Sequence, residues 1–311
     1  MKALARAAVA GALLLSPAAV RCDTYYVIVA GLGGEPDYVQ RFTANAKDLD
    51  RIFRASGSTA HVSTLTGDQA TRTQLTQTLG SVAHAAKPGD DFVLMLIGHG
   101  SFDGEEYKFN LPGPDMSAGE IASLCDRIPA KRQLVVNTTS ASGGSIAALE
   151  RPGRAVIAAT KSGTEKNATV FARYWVEAFE DPTADLDKSD SISAMEAFEY
   201  ASRKTAAFYD SQKRLATEHA VFEDTGRGEA VREAANNEGV MMSSFAVLRI
   251  GAAQKEANDP AKRDLLAKKE ELEQKIDSLK YQKAAMDPAD YKKQLSDALV
   301  QLAQVQQELD R

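Results

Sequence analysis

Hydrophobic positions along this chain gather into short apolar runs separated by longer amphipathic stretches. The runs are Tyr25 to Ala30, Ala60 to Leu65, Phe92 to Ile97, Gln133 to Asn137 and Ala155 to Thr160, with a last one at Phe245 to Ile250. Most are rich in Val, Ile and Leu and bounded by Gly, Pro, Asn or Asp, which predicts strands. Between them apolar residues recur at helical spacing. Phe42, Ala46, Leu49, Ile52 and Phe53 predict a helix over 37–55, and Leu75, Leu79 and Val82 predict one over 71–86. Ser117 and Glu120 have the spacing of a capping box and open a helix over 117–127. Further helices are expected at 168–179 and 191–216. This alternation predicts an α/β fold: right-handed βαβ units, a mostly parallel six-stranded sheet and helices on both faces. The uninterrupted run 92–97 fits a central strand.

After Gly251 the pattern changes. Leu265, Leu272, Leu279 and Met286 recur every seven residues with Ile276 between them, and Asp287-Pro288 interrupts. Tyr291, Leu295, Ala298, Leu302, Val305 and Leu309 follow at alternating spacings of four and three. These are heptad seams on two helices joined at the proline, which predicts a C-terminal coiled-coil hairpin over 252–311. Lys269 and Lys283 fall on the first seam and weaken it. Self-association through 260–311 is the competing use of the same residues.

At the other end, Lys2 and Arg6 precede an apolar stretch from Ala7 to Leu15 and the small residues Ser16-Pro17-Ala18. This is the layout of a secretory signal over 1–22, which makes 23–251 the main domain and a periplasm or the outside of the cell the expected address. Cys22, preceded by Arg21, fits a lipidation site badly. Cys125 then has no partner for a disulfide and reads as a small buried residue. The formal net charge is −6 with no basic cluster, which argues against nucleic acid as a partner. No cofactor motif is complete: the glycines at 31–34 lack dinucleotide spacing. The run Glu223-Asp-Thr-Gly-Arg-Gly228 resembles a decayed calcium loop with Arg227 at a ligand position, so no metal is expected there.

Candidate chemistry concentrates in two loops that follow strands, where parallel sheets collect ligands. One is Gly98-His99-Gly100, whose glycines leave an imidazole uncovered and suited to proton transfer. The other is Thr139-Ser140-Ala141-Ser142-Gly143-Gly144. It supplies a hydroxyl at Ser140, an alternative at Ser142, and backbone N–H groups at Gly143 and Gly144 that could face a developing oxyanion, as could the N–H of Gly100.

These residues resemble the legumain-like cysteine peptidases of the caspase–hemoglobinase fold. In that family an apolar strand ends in His-Gly, which Phe92 to Gly100 matches with His99 in the catalytic position. The next strand ends in Glu-Ala-Cys-x-Ser-Gly, which Thr138 to Gly143 matches when the Ser-Gly pairs are aligned. Val27 to Gly31 is similar to the first strand, Phe109 to Asp115 to the loop after the histidine, and Val156 to Thr160 to the fifth strand, which borders the specificity pocket. The resemblance spans about 25–250 and implies a caspase-like three-layer sandwich. It also implies that Arg41, Thr160 and Lys161 line the ligand site. The departures are Ser140 at the cysteine position, Thr138 at the acidic one, and Gly33 where the family has an asparagine near the histidine. A serine hydroxyl is far less acidic than a thiol and needs a well-oriented base. The expectation is therefore an exported homologue with a degenerate site that binds a peptide or protein. The alternative is a working hydrolase with Ser140 as nucleophile and His99 as base.

Overall fold

The computed structural model describes residues 23–235, 238–259, 261–283 and 286–311. The expected signal segment 1–22, with Cys22, lies outside them. Along the chain the strands are β1 (Thr24–Ala30), β2 (Ala60–Leu65), β3 (Asp91–Ile97), β4 (Gly100–Phe102), β5 (Tyr107–Phe109), β6 (Met116–Ser117), β7 (Arg132–Asn137), β8 (Arg154–Ala158), β9 (Ser191–Ser193), β10 (Val221–Glu223) and β11 (Ala246–Arg249). The helices are α1 (Pro36–Arg54), α2 (Arg72–Ala85), α3 (Ala118–Cys125), α4 (Ile146–Leu149), α5 (Phe171–Ala178), α6 (Ala194–Ser211), α7 (Val240–Ser244), α8 (Gly251–Asn258), α9 (Arg263–Gln282) and α10 (Pro288–Leu309).

The main sheet has six strands in the order β10-β8-β7-β3-β1-β2, parallel except for β10. Alternation along β1 sends Tyr26, Ile28 and Ala30 into one core, with α1, α5 and α6, and Val27 and Val29 into the other, with α2, α3 and α4. The three-layer sandwich expected from the alternation is the arrangement found. Register decides where chemistry can gather. Leu96 pairs with Asn137 and Asn137 with Ala158, so the chain leaves β3, β7 and β8 side by side at one rim. Ser117 and Glu120 form the capping box of α3, and Cys125, its last residue, is buried, which pushes its thiol up to about 12.

Three expectations are corrected. The sixth strand is β10, a three-residue antiparallel edge too short to register as an apolar run; residues 245–250 supply β11, which pairs with β9 in a separate two-stranded sheet. The helix expected over 191–216 begins at Ala194, because Ser191–Ser193 is drawn into that pairing. The segment 100–117, expected only as loop and turn before its helix, folds as the antiparallel sheet β4-β5-β6.

The C-terminal helices lie beside the opposite rim. Arg249 holds Glu270 of α9 through two bonds of 2.5 and 2.9 Å, and Gln274 donates to the Ser244 carbonyl at 3.2 Å. α10 folds back antiparallel on α9: Leu272 packs with Val305 and Leu309, and the Lys262 ammonium donates to the Leu309 carbonyl. Leu272, Ile276 and Leu279 are buried as the seam predicts, whereas Leu266 rather than Leu265 is the buried residue facing α8.

Candidate functional site at the carboxyl rim

The loops after β3 and β7 are neighbours because their strands are. His99 is half-buried, its ring edge-on to Tyr38 at 4.7 Å and to Phe42 at 5.1 Å between centroids, so α1 forms one wall of its niche. Burial lowers its pKa below the ordinary histidine value and the Arg41 charge acts in the same direction; the Gly33 carbonyl and Glu35 oppose them. Where the family pattern has an asparagine, the backbone of Gly33 itself reaches the imidazole.

Ser140 is 3% exposed, and its hydroxyl is engaged twice by one residue: it accepts from Gly100 N at 3.1 Å and donates to Gly100 O at 3.0 Å. Among the described residues no hydrogen bond joins Ser140 to His99. Close approach explains the glycine: a Cβ on Gly100 would lie 2.6 Å from the Ser140 carbonyl and 2.5 Å from the Tyr107 ring. Ala141 then takes a left-handed φ of 56°, at a cost of about 1–2 kcal/mol for a residue with a Cβ. Its N–H bonds the Glu165 carbonyl at 2.8 Å and its carbonyl accepts from Gly144 N at 3.0 Å, which holds the turn.

The other candidates are drawn into the same bonding. Gly143 N donates to Thr160 Oγ1 at 2.9 Å, and Ser142 Oγ lies 3.2 Å from that oxygen while accepting from Thr160 N at 3.1 Å. Gly100 N and Gly143 N therefore already have acceptors inside the chain, and Ser142 and Thr160 stitch the loop after β7 to the loop after β8. Lys161 is exposed, its ammonium 3.9 Å from Glu165. Asp103 holds the β4–β5 turn by accepting from Glu105 N at 2.9 Å and Glu106 N at 2.8 Å. The Phe102 ring of that hairpin fills the crevice between the two loops, since a Cβ would meet it at 2.7 Å from Gly144 and at 2.3 Å from Gly163. Asn137 is buried and donates to the Ser145 hydroxyl at 3.0 Å.

Arg41 lies elsewhere on this rim. With Phe42, Asn45, Thr169, Arg173 and Phe208 it lines a cavity of about 140 Å³ that shares the Phe42 ring with the His99 niche. Its guanidinium sits over Tyr38 at 4.8 Å, and among the described residues neither Arg41 nor Arg173 has a carboxylate partner within ion-pair distance. Sequence reasoning missed Arg173, which a helical pattern shows only as a polar position of α5. It also missed Glu165, which receives His219 Nδ1 at 2.5 Å and the N–H groups of Lys161 and His219. Their separation along the chain hides that pairing.

No family model matches this chain, and no curated protein matches it. Among solved structures it is similar to the crystal structure of a Geobacter sulfurreducens protein, at 14% identity and a TM-score of 0.46, over 66% of this chain and 94% of that one. It is also similar to the Drosophila initiator caspase Dronc, at 12% identity and a TM-score of 0.42, over 72% of this chain and 84% of the caspase.

Proposed function

We propose that this chain is an exported, degenerate homologue of the legumain-like peptidases that binds a peptide or protein at the carboxyl rim of its sheet instead of cleaving it. The observation that carries the reading is the Ser140 hydroxyl, closed on both backbone groups of Gly100. A nucleophile needs a base within hydrogen-bond reach and an oxyanion site with free donors. Here the hydroxyl has other partners, and Gly100 N and Gly143 N are already bonded. The family ancestry rests on the His-Gly and Ser-Gly motifs at the ends of adjacent strands. The cavity with Arg41 and Arg173 offers two guanidinium groups and aromatic walls to an acidic side chain of the ligand.

The test pairs binding with turnover. A peptide library is digested with the purified protein and with His99→Ala, and binding to the same library is measured in parallel. Retained binding with no cleavage by either protein supports the proposal. Cleavage abolished by His99→Ala overturns it in favour of the Ser140 hydrolase. Ser140→Cys treated with an electrophilic peptide probe tests the ancestry: labelling is expected if the thiol meets the imidazole environment of the family. Absence of labelling in the folded variant removes the legumain assignment.

A further inference from the structure

The segment that leads into α6 reads Asp185-Leu-Asp187-Lys-Ser189-Asp-Ser191-Ile-Ser193-Ala-Met-Glu196. A twelve-residue calcium loop takes its oxygens from positions 1, 3, 5, 7, 9 and 12, with position 7 using its carbonyl, position 9 often acting through water and position 12 a bidentate glutamate. Those positions here hold Asp, Asp, Ser, Ser, Ser and Glu. Every side chain at them carries an oxygen, and the residues between include Ile192, buried and paired to Leu248 of β11. The sharp bend at position 6, ordinarily a glycine, is present as Asp190 with φ 60°. Position 10 is Ala194, where α6 begins.

The fold brings three of these carboxylates together. One carboxylate oxygen from each of Asp185, Asp187 and Glu196 lies within 4.8 Å of the others. A second observation points to a missing ligand. Asp185 is only 4% exposed; its Oδ1 takes a single hydrogen bond, from Ser189 N at 3.1 Å, and among the described residues no donor reaches its Oδ2. Among the described residues no Lys, Arg or His pairs with any of the three carboxylates; the Lys188 ammonium goes to the Asp185 carbonyl instead, and Glu196 accepts only from the N–H groups of its own loop and the Ser193 hydroxyl. Buried carboxylates are normally paired with a cation or bound to a metal. Across a narrow gap of about 40 Å³ lie Glu270, Glu273 and Asp277 of α9, each beside a cation of its own, Arg249, Lys269 and Lys280. Burial and those like charges raise Glu273 to about 7, with Lys269 alone opposing among its main influences.

We infer that residues 185–196 form a calcium site, with Asp185, Asp187, Ser189, the Ser191 carbonyl and Glu196 as direct ligands and Ser193 reaching the ion through water. A mixed set of carboxylate, hydroxyl and carbonyl oxygens on a flexible loop suits Ca²⁺, whereas Mg²⁺ demands a tighter octahedron. The site is separate from the carboxyl rim and stands whether or not the peptide-binding proposal does. It lies between α6, β11 and α9, so the ion would neutralise the loop where the C-terminal helices pack on the body.

Full-length protein stripped with EDTA and titrated with CaCl₂ by calorimetry, alongside thermal melts in CaCl₂ or MgCl₂, tests this. Expected are saturable binding of one ion, a melting temperature that rises with calcium concentration, and a smaller rise with magnesium. Asp187 is exposed, so Asp187→Asn should fold normally and weaken calcium binding about tenfold or more by removing one ligand charge. Glu196→Gln should weaken it further; because Glu196 also caps α6, Ser189→Ala serves as a second variant outside the cap. No heat and no melting shift at millimolar calcium would overturn the inference, as would unchanged affinity in Asp187→Asn.

Discussion

The loop after β7 and the loop before α6 are both rich in serine, yet they differ in how their charge is balanced. At Ser140, Ser142 and Thr160 the hydroxyls bond main-chain groups, and the N–H groups of Gly100 and Gly143 have acceptors. At Asp185, Asp187 and Glu196 three carboxylates converge, and among the described residues none has a cation partner; Glu196 accepts from the Leu186 and Ser193 N–H groups, while no donor reaches Oδ2 of Asp185. A saturated polar site gains little from a small ligand, since a new bond must replace an existing one. A cluster of carboxylates without a cation carries an electrostatic cost that a bound ion removes. The first loop resembles a catalytic motif, while the balance of charge marks the second as the place where a ligand is lacking.

The sharpest way to break the comparison is Gly143→Ala. Its Cβ would lie 2.3 Å from Ser162 N and 2.4 Å from the Lys161 carbonyl carbon, so the two stitched loops must part. A loss of about 3 kcal/mol in urea unfolding is expected; full tolerance would mean that the rim is loose enough to reorganise around substrate. Next is Ser140→Ala, which leaves an N–H and a C=O of Gly100 without their partner at a nearly buried position. About 1–3 kcal/mol should be lost, and an unchanged midpoint would mean that the hydroxyl is not structural and is available for chemistry. Arg41→Ala should reduce binding of acidic peptides about tenfold, or about 1.4 kcal/mol, and leave neutral peptides unaffected, measured by fluorescence polarisation. Equal loss for both kinds would remove the acidic-side-chain assignment.

The smallest effect concerns Glu273. Its folded pKa, about 7, lies above its ordinary value of 4.5, so the protonated form is favoured in the folded chain. The stability this provides is complete below pH 4.5 and is lost as pH rises through about 7. Glu273→Gln should therefore flatten the decline in melting temperature across that interval, and saturating calcium should flatten it in the parent by neutralising Asp187. A parent protein with no decline over this range would show that the charges across the gap are already compensated.

Much of the frame was legible in sequence, because a buried parallel strand such as 92–97 is apolar throughout and helices such as α1 and α3 carry their own periodicity and caps. The adjacency of His99 and Ser140 loops followed from strand order. What each side chain bonds to did not, because that depends on distances of a few tenths of an ångström between segments distant in the chain. The short strands β4, β5, β6, β9 and β10 were invisible for a related reason: pairing partners, not their own composition, make them strands. The calcium loop was hidden by the expected helix over 191–216, which absorbed its last six positions, while the glycines of 223–228 suggested a decayed loop. In the structure Glu223 instead accepts the Thr225 and Arg227 N–H groups and closes a tight turn.

The C-terminal helices pack near Asp91, Arg132 and Arg249, where β3 and β7 begin, while His99 and Arg41 stand where β1 and β3 finish. The molecule is thus two-ended. Leu299 and Val300 of α10 meet solvent, so a change on that helix is separated from His99 by the full length of the sheet.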